Sequence, residues 1–420
     1  MLNNFKDRAE DILPGATFGN FDPDVIIREG YGAHVWDSDG TEYIDYLIGS
    51  GPMILGHVEP EVTEAVQEQL KKGSTFFATN ERGIELAEEI GRAVMCAEQV
   101  RFVSTGGEAN MFAMRIARAF TGQNKLIKFE GGFHGMSAEA QMSLAPKSLA
   151  NFPNPEPDSA GIPHSVREEI LIAPYNDIDF TRSLISEYNG QIAGIIVEPV
   201  QRIIPPIKGF LEALREECTK HNIVLIFDEV VTGFRLSYGG AQEYFGVIPD
   251  ICTLGKIIGG GFPLAAIGGK KEIMNHFNEN SVNQDQFLMQ HGTLSGNPIA
   301  AAAGLKTLEI LRREGQYEKL RYKGQKLMHS LKSHLSKTGH DHKIIGNPVL
   351  FDIVFTKKSV ENYRDILQSD TDKIIQFNKL LRNQNILKTI GKFYISLALT
   401  DDDISQTIQA IEYSSENLST

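Results

Sequence analysis

The chain has little sulfur for cross-linking and no spacing suited to a metal. Cys96, Cys218 and Cys252 are its only cysteines. An odd, sparse set without metal or redox spacing fits a reducing compartment, and each reads as a small buried hydrophobe. No apolar run is long enough to span a bilayer. Met1 to Arg8 lacks the apolar core of a signal peptide, so a cytoplasmic protein is expected. Positive charge is also short: 41 basic against 54 acidic side chains leave a net charge of -13. That argues against nucleic acid or an anionic membrane as the main partner. Repeats, heptads and low-complexity tracts are missing, as are a Walker A motif and a Gly-x-Gly-x-x-Gly fingerprint.

What remains is ordinary globular material. The 420 residues are 41% hydrophobic and 23% charged, enough for a large core in one or two domains. The most informative stretch runs from Ile223 to Gly261. Ile223 to Phe227 is a short apolar run rich in β-branched residues, which fits a buried parallel strand, and it ends on Asp228. A carboxylate at the carboxyl end of such a strand sits where open α/β sheets bind ligands. Lys256 follows in an apolar, glycine-rich setting (Leu254-Gly255-Lys256-Ile257-Ile258-Gly259-Gly260-Gly261). Apolar neighbours weaken a lysine's preference for the charged form, and a neutral amine can form a Schiff base. An acid and a lysine so placed suit pyridoxal 5'-phosphate, which needs a Lys for its aldehyde and a carboxylate for its ring nitrogen.

Other segments read in order. Met1 to Ile12 is a short helix, and Asp39-Gly40 marks a hairpin. Glu59 to Lys72 and Arg82 to Val94 are helices. Gln99 to Ser104 is a strand leading through Thr105-Gly106-Gly107 into a helix from about Glu108 to Phe120. Such a junction offers free N–H groups to an anion, so Thr105, Gly106 and Gly107 form a candidate phosphate cradle. Lys125 to Phe129 is a strand followed by Glu130-Gly131-Gly132-Phe133-His134-Gly135. Met136 to Glu169 is irregular and proline-punctuated, either a lid or a disordered insertion. Ile170 to Ala173 and Ile192 to Val197 are strands, the second ending at Glu198. Alternation of strands and helices implies parallel β-α units with right-handed crossovers. Beyond about Ile310 a long polar helix leads to strands over 349–355 and 393–399 and a last helix from Asp401 to Tyr413.

Phe227-Asp228-Glu229-Val230-Val231-Thr232-Gly233-Phe234-Arg235, the Lys256 segment, Val197-Glu198-Pro199-Val200 and His291-Gly292-Thr293-Leu294-Ser295-Gly296-Asn297-Pro298 resemble the class III pyridoxal-phosphate aminotransferases. Within them the chain is most similar to the glutamate-1-semialdehyde 2,1-aminomutase-like branch, over nearly its whole length. The resemblance implies an α/β, fold-type I enzyme. Its large domain has a mostly parallel seven-stranded sheet between helices, and its C-terminal α/β domain is smaller. The implied spans are 1–55 for an N-terminal segment packing with the small domain, 56–310 for the large domain and 311–420 for the small one.

The resemblance further implies pyridoxal 5'-phosphate as cofactor, with Lys256 and Asp228 catalytic. Thr105, Gly106, Gly107, Phe133, His134, Glu198, Val230 and Thr293 join them as cofactor-binding residues. Phe133 lies on the ring, and Glu198 serves either beside the cofactor or in a structural ion pair. His57 reads as a hydrogen-bonded structural residue. Thr293 reaches the cofactor phosphate of a neighbouring subunit, so a homodimer is expected. Relatives carry Ser-Gly-Thr-Glu-Ala where Gly107 stands in place of the Thr, which leaves backbone contacts there.

Two departures separate the chain from aminomutases. Pro14-Gly15-Ala16-Thr17 replaces the segment that carries Ser-Pro-Val-Arg. Gly391 and Leu399 stand where aminomutases carry a Glu and a His. A buried charge left without its partner disfavours binding by about 3–5 kcal/mol, so a changed substrate is expected. The expected activity is therefore a transaminase acting between an amino acid (a β-amino acid among the candidates) or amino-bearing metabolite and a keto or aldehyde acceptor. Aminomutase activity is the alternative, and a catalytically silent binding protein of the same fold is a third reading. Lys388, Lys392 and Arg202 are cations that could meet an acid group, each read as solvent-facing.

Overall fold

The computed structural model describes residues 5–419. The chain forms two compact units. The smaller comprises the chain through Pro60, Glu318–Lys357 and the chain from Ser369 onward; the larger comprises Glu61–Tyr317 and Lys358–Gln368. No helix among the described residues is long and apolar enough to cross a membrane.

In the smaller unit, β1 (Ile27–Tyr31), β2 (His34–Asp37) and β3 (Glu42–Asp45) form an antiparallel meander. Asp37 closes the expected β2–β3 hairpin by accepting the Asp39 and Thr41 N–H groups at 3.0 and 2.8 Å. The first helix is Phe5–Ile12; the part expected over Met1 to Asn4 lies outside the described residues.

The larger unit holds a seven-stranded sheet. Its strands are β4 (Gln99–Val103), β5 (Lys125–Phe129), β6 (Ile170–Ala173), β7 (Ile192–Val197), β8 (Val224–Asp228), β9 (Ile251–Leu254) and β10 (Ala265–Gly269). They lie in the order β4-β10-β9-β8-β7-β5-β6. Only β10 runs antiparallel to its neighbours. Strands β6 to β9 are buried along their whole length, which explains their continuous apolar runs. Helix Gly106–Thr121 lies across the sheet, burying Ala109, Ala113 and Ala117. Its approach is close: a Cβ on Gly194 of β7 would stand 3.3 Å from the Ala117 Cβ. The order of β7, β5 and β6 reverses chain direction across the sheet, and the strands' carboxyl ends at that reversal form the usual ligand crevice.

The smaller unit resumes with helix Gln316–Lys337, which begins before the unit boundary, then β11 (Lys343–Asn347) and β12 (Leu350–Val354). Strand β13 (Ile386–Leu387) pairs with β3, and β14 (Phe393–Tyr394) pairs with β12. Phe351, Phe377 and Phe393 fill its core, with Phe351 and Phe393 stacked at 5.4 Å.

Three readings change. The long helix expected from Ile310 is two helices, Pro298–Leu311 and Gln316–Lys337, parted by Gly315 at φ +82°. The strand expected over 393–399 is only Phe393–Tyr394. Within the stretch expected as 311–420 of a small domain, Lys358–Gln368 packs with the larger unit. There Arg364 clasps Glu130 at 2.7 and 3.0 Å and donates to Ala150 O.

Candidate active site

A buried lysine anchors the irregular segment after β5. Lys128 Nζ donates to the carbonyls of Ala140 and Met142 at 2.7 and 2.5 Å. Burial lowers its pKa to about 7.

The strongest local signal is the start of helix Gly106–Thr121. Thr105 is its N-cap, accepting the Glu108 N–H while Glu108 accepts the N–H of Ser104 and Thr105. This capping box satisfies those groups. Gly106 and Gly107, the first two helical residues, have no acceptor within their own helix. Gly106 must lack a side chain: a Cβ there would meet Val230 Cγ1 at 2.8 Å. The same Val230 faces Gly255, whose added Cβ would stand 3.2 Å from it. Val230 thus joins the glycine turn to the loop that carries Lys256.

Asp228 ends β8 and is 4% exposed. Its Oδ2 accepts from Asn110 Nδ2 at 2.7 Å and contacts His134 Nδ1 at 2.8 Å. Its Oδ1 accepts the Val230 N–H at 3.1 Å. The pairing of β8 with β9 sets Asp228 opposite Thr253, and Thr253 Oγ1 donates to Asn110 Oδ1 at 2.6 Å. Lys256 follows at the same edge with φ +51°, a conformation that costs an ordinary side chain energy and clusters at functional sites.

Phe133 leaves 38% of its surface exposed. Its backbone N–H donates to Glu198 Oε2 at 2.9 Å. Among the described residues Glu198 makes no ion pair, so the ion-pair reading gives way to one in which it holds the Phe133 backbone. Arg202 projects to the Phe133 ring at 5.2 Å. His134 is 1% exposed, and its Nε2 has no hydrogen-bond partner.

Thr105, Gly106, Gly107, Val230 and Lys256 therefore converge, as do Asp228 with His134 and Phe133 with Glu198. Thr293 does not join them; it is exposed and lines a surface cleft with Phe76, Phe77 and Arg101. Lys388 is not solvent-facing: it is 5% exposed and pairs with Asp352 at 2.7 Å. His57 is the expected structural residue, with Nε2 2.8 Å from Asp45 Oδ2. Sequence reasoning missed Asn110 and Thr253. For Asn110 the available signal was a polar residue inside an otherwise apolar helix face.

The profile of the family "Aminotransferase class-III" matches residues 19–413. The chain is 39% identical over 414 residues to a glutamate-1-semialdehyde 2,1-aminomutase from Natranaerobius thermophilus, covering 96% of this chain and 94% of that one. Its fold is similar to an omega-transaminase from Sphaerobacter thermophilus, with a TM-score of 0.92 and 31% identity over 98% of this chain and 96% of the other. It is also similar to a beta-phenylalanine aminotransferase from Variovorax paradoxus, with a TM-score of 0.84 and 30% identity over 97% and 91% of the two chains.

The residues present fit the cofactor of that family. A buried carboxylate met by an amide, an imidazole and a backbone N–H suits a protonated ring nitrogen, a side-chain-free helix start suits a phosphate, and a half-exposed ring suits a flat heterocycle. The chain belongs to the class III aminotransferases, and its cofactor is pyridoxal 5'-phosphate.

Proposed function

We propose that the protein is a transaminase, moving an amino group from an amino acid or amino-bearing metabolite to a keto or aldehyde acceptor. When bound, the cofactor supplies an electron sink that lets the substrate carbon lose its proton. Lys256 would hold the cofactor through its amine, and the same amine would serve as the base and acid that moves the substrate's proton. Asp228, its carboxylate fixed by His134 and Asn110, would keep the ring nitrogen protonated. Thr105, Gly106 and Gly107 would receive the phosphate, and Phe133 and Val230 would hold the ring. Thr293 serves the neighbouring subunit of a homodimer, in the cytoplasm.

The observation that carries the transaminase reading is the loss of the charged residues of aminomutases at Gly391 and Leu399. Leu399 is 2% exposed and apolar. Likeness to the omega-transaminase supports the reading, and likeness to the beta-phenylalanine aminotransferase supports a β-amino acid donor. Aminomutase activity is the second reading, favoured by the 39% identity to a protein of that name. The test mixes holoenzyme with one amine at a time, without an acceptor. Loss of the visible cofactor band with release of the matching carbonyl compound is expected. No response to any amino donor, with conversion of glutamate-1-semialdehyde to 5-aminolevulinate, would give the protein to the aminomutases.

A further inference from the structure

The loop after β7 turns sharply. Gln201 and Ile204 exchange both backbone hydrogen bonds, at 2.9 and 2.8 Å. Arg202 therefore occupies the first central position of a two-residue hairpin turn, at φ +63°. Positive φ there is the province of glycine. An arginine in that place needs a reason, because strained backbone gathers at functional sites. The turn is well anchored: Ile203 and Ile204 are 5% and 3% exposed, and Gln201 Nε2 donates to Glu130 O at 2.8 Å.

Arg202 itself is exposed, with its guanidinium over the Phe133 ring. It shares a neighbourhood with Glu130 and Asp158, since all three act on the Tyr363 hydroxyl. Those acids are already engaged. Glu130 is held by Arg364 at 2.7 and 3.0 Å, and Asp158 accepts the Leu144 and Ala145 N–H groups at 2.6 and 3.1 Å. Glu198 accepts the Phe133 N–H. Among the described residues Arg202 has no ion-pair partner. A planar fork of donors left without an anion matches a carboxylate.

We infer that Arg202 is a specificity-determining residue that binds the carboxylate of the amino donor or of the keto acceptor, and so selects acids over plain amines. This rests on the transaminase reading, and it narrows the substrates to carboxylates that reach past the Phe133 ring.

The test compares holoenzyme with Arg202→Gln, Arg202→Lys and Arg202→Gly, the last of which suits the turn and guards against misfolding. Donors are used in pairs, 3-aminobutanoate against 2-aminobutane, in the half-reaction. The KM for the acid should rise about ten- to a hundredfold in Arg202→Gln and Arg202→Gly, less in Arg202→Lys, with the plain amine unchanged. Binding of butanoate, which cannot react, is measured by calorimetry and should weaken by the same factor. Equal butanoate affinity and equal KM in all variants would overturn the role of Arg202 while leaving the transaminase intact. Arg202-dependent butanoate binding by a protein that reacts with no amine would keep the site and overturn the transaminase.

Discussion

The two units each bury an aspartate, and they treat it in opposite ways. Asp352, on β12 of the smaller unit, is fully buried and lies 2.7 Å from the Lys388 ammonium. Lys388 also donates to Asn378 Oδ1 and Thr389 O at 2.6 and 2.9 Å. That charge is neutralised within the chain. Asp228, on β8 of the larger unit, meets an amide, an imidazole and a backbone N–H. Among the described residues its donors include no lysine or arginine, which supports the proposal that it faces the cofactor's ring nitrogen. Asp352 is thus met by a full opposite charge, whereas the acid proposed to face the cofactor is met by an amide, an imidazole and a backbone N–H.

The largest expected effect breaks the ligand-directed side of that comparison. Lys256→Ala should lose the visible cofactor band and bring turnover to background. Asp228→Asn should keep the band but slow turnover by about a thousandfold, within the range of positioned acid–base groups; absorbance and single-turnover rates check both. An Asp228→Asn protein with near-normal turnover would make this acid structural like the other.

The next effect breaks the structural side. Asp352→Asn leaves Lys388 buried without its charge partner and should cost about 3–5 kcal/mol of stability. The double variant Asp352→Asn with Lys388→Met should regain most of it. Urea unfolding measures both, and the half-reaction of whatever remains folded should be unaltered.

The smallest effect concerns Lys128, a buried lysine whose amine donates to two backbone carbonyls. Burial lowers it to about 7 from 10.5. Between those values the unfolded chain binds more protons than the folded one. Its burial penalty is therefore full below about 7 and fades as pH rises toward 10.5. Lys128→Met should flatten that rise, seen as a smaller gain in urea midpoint between pH 7 and 9.5 than in the unaltered protein. Equal gains in the two proteins would show that this lysine titrates normally.

Much of the larger unit could be read from the chain because its signals are local. Buried strands announce themselves as apolar runs, and Thr105 with Glu108 spells a capping box within four positions. Asp228 and Lys256 stood out because each follows such a run. What escaped depends on distant partners. Asn110 meets Asp228 across 118 positions, and Arg364 meets Glu130 across 234. Lys388 reads as an ordinary surface lysine until Asp352, 36 positions away, is placed beside it. The strain at Arg202 was equally hidden, since a turn's φ depends on which residues close it.

The strap formed by Lys358–Gln368 has a consequence for how this protein can be dissected. A fragment spanning 61–317 would contain all seven strands of the large sheet and every residue proposed to touch the cofactor. It would nonetheless leave Glu130, whose side chain is 4% exposed, without the guanidinium that balances it. Phe152 would lose the cation stacked 3.9 Å from its ring centre. The larger unit is thus not one continuous stretch of chain, and a fragment that keeps these partners needs the eleven-residue strap as well.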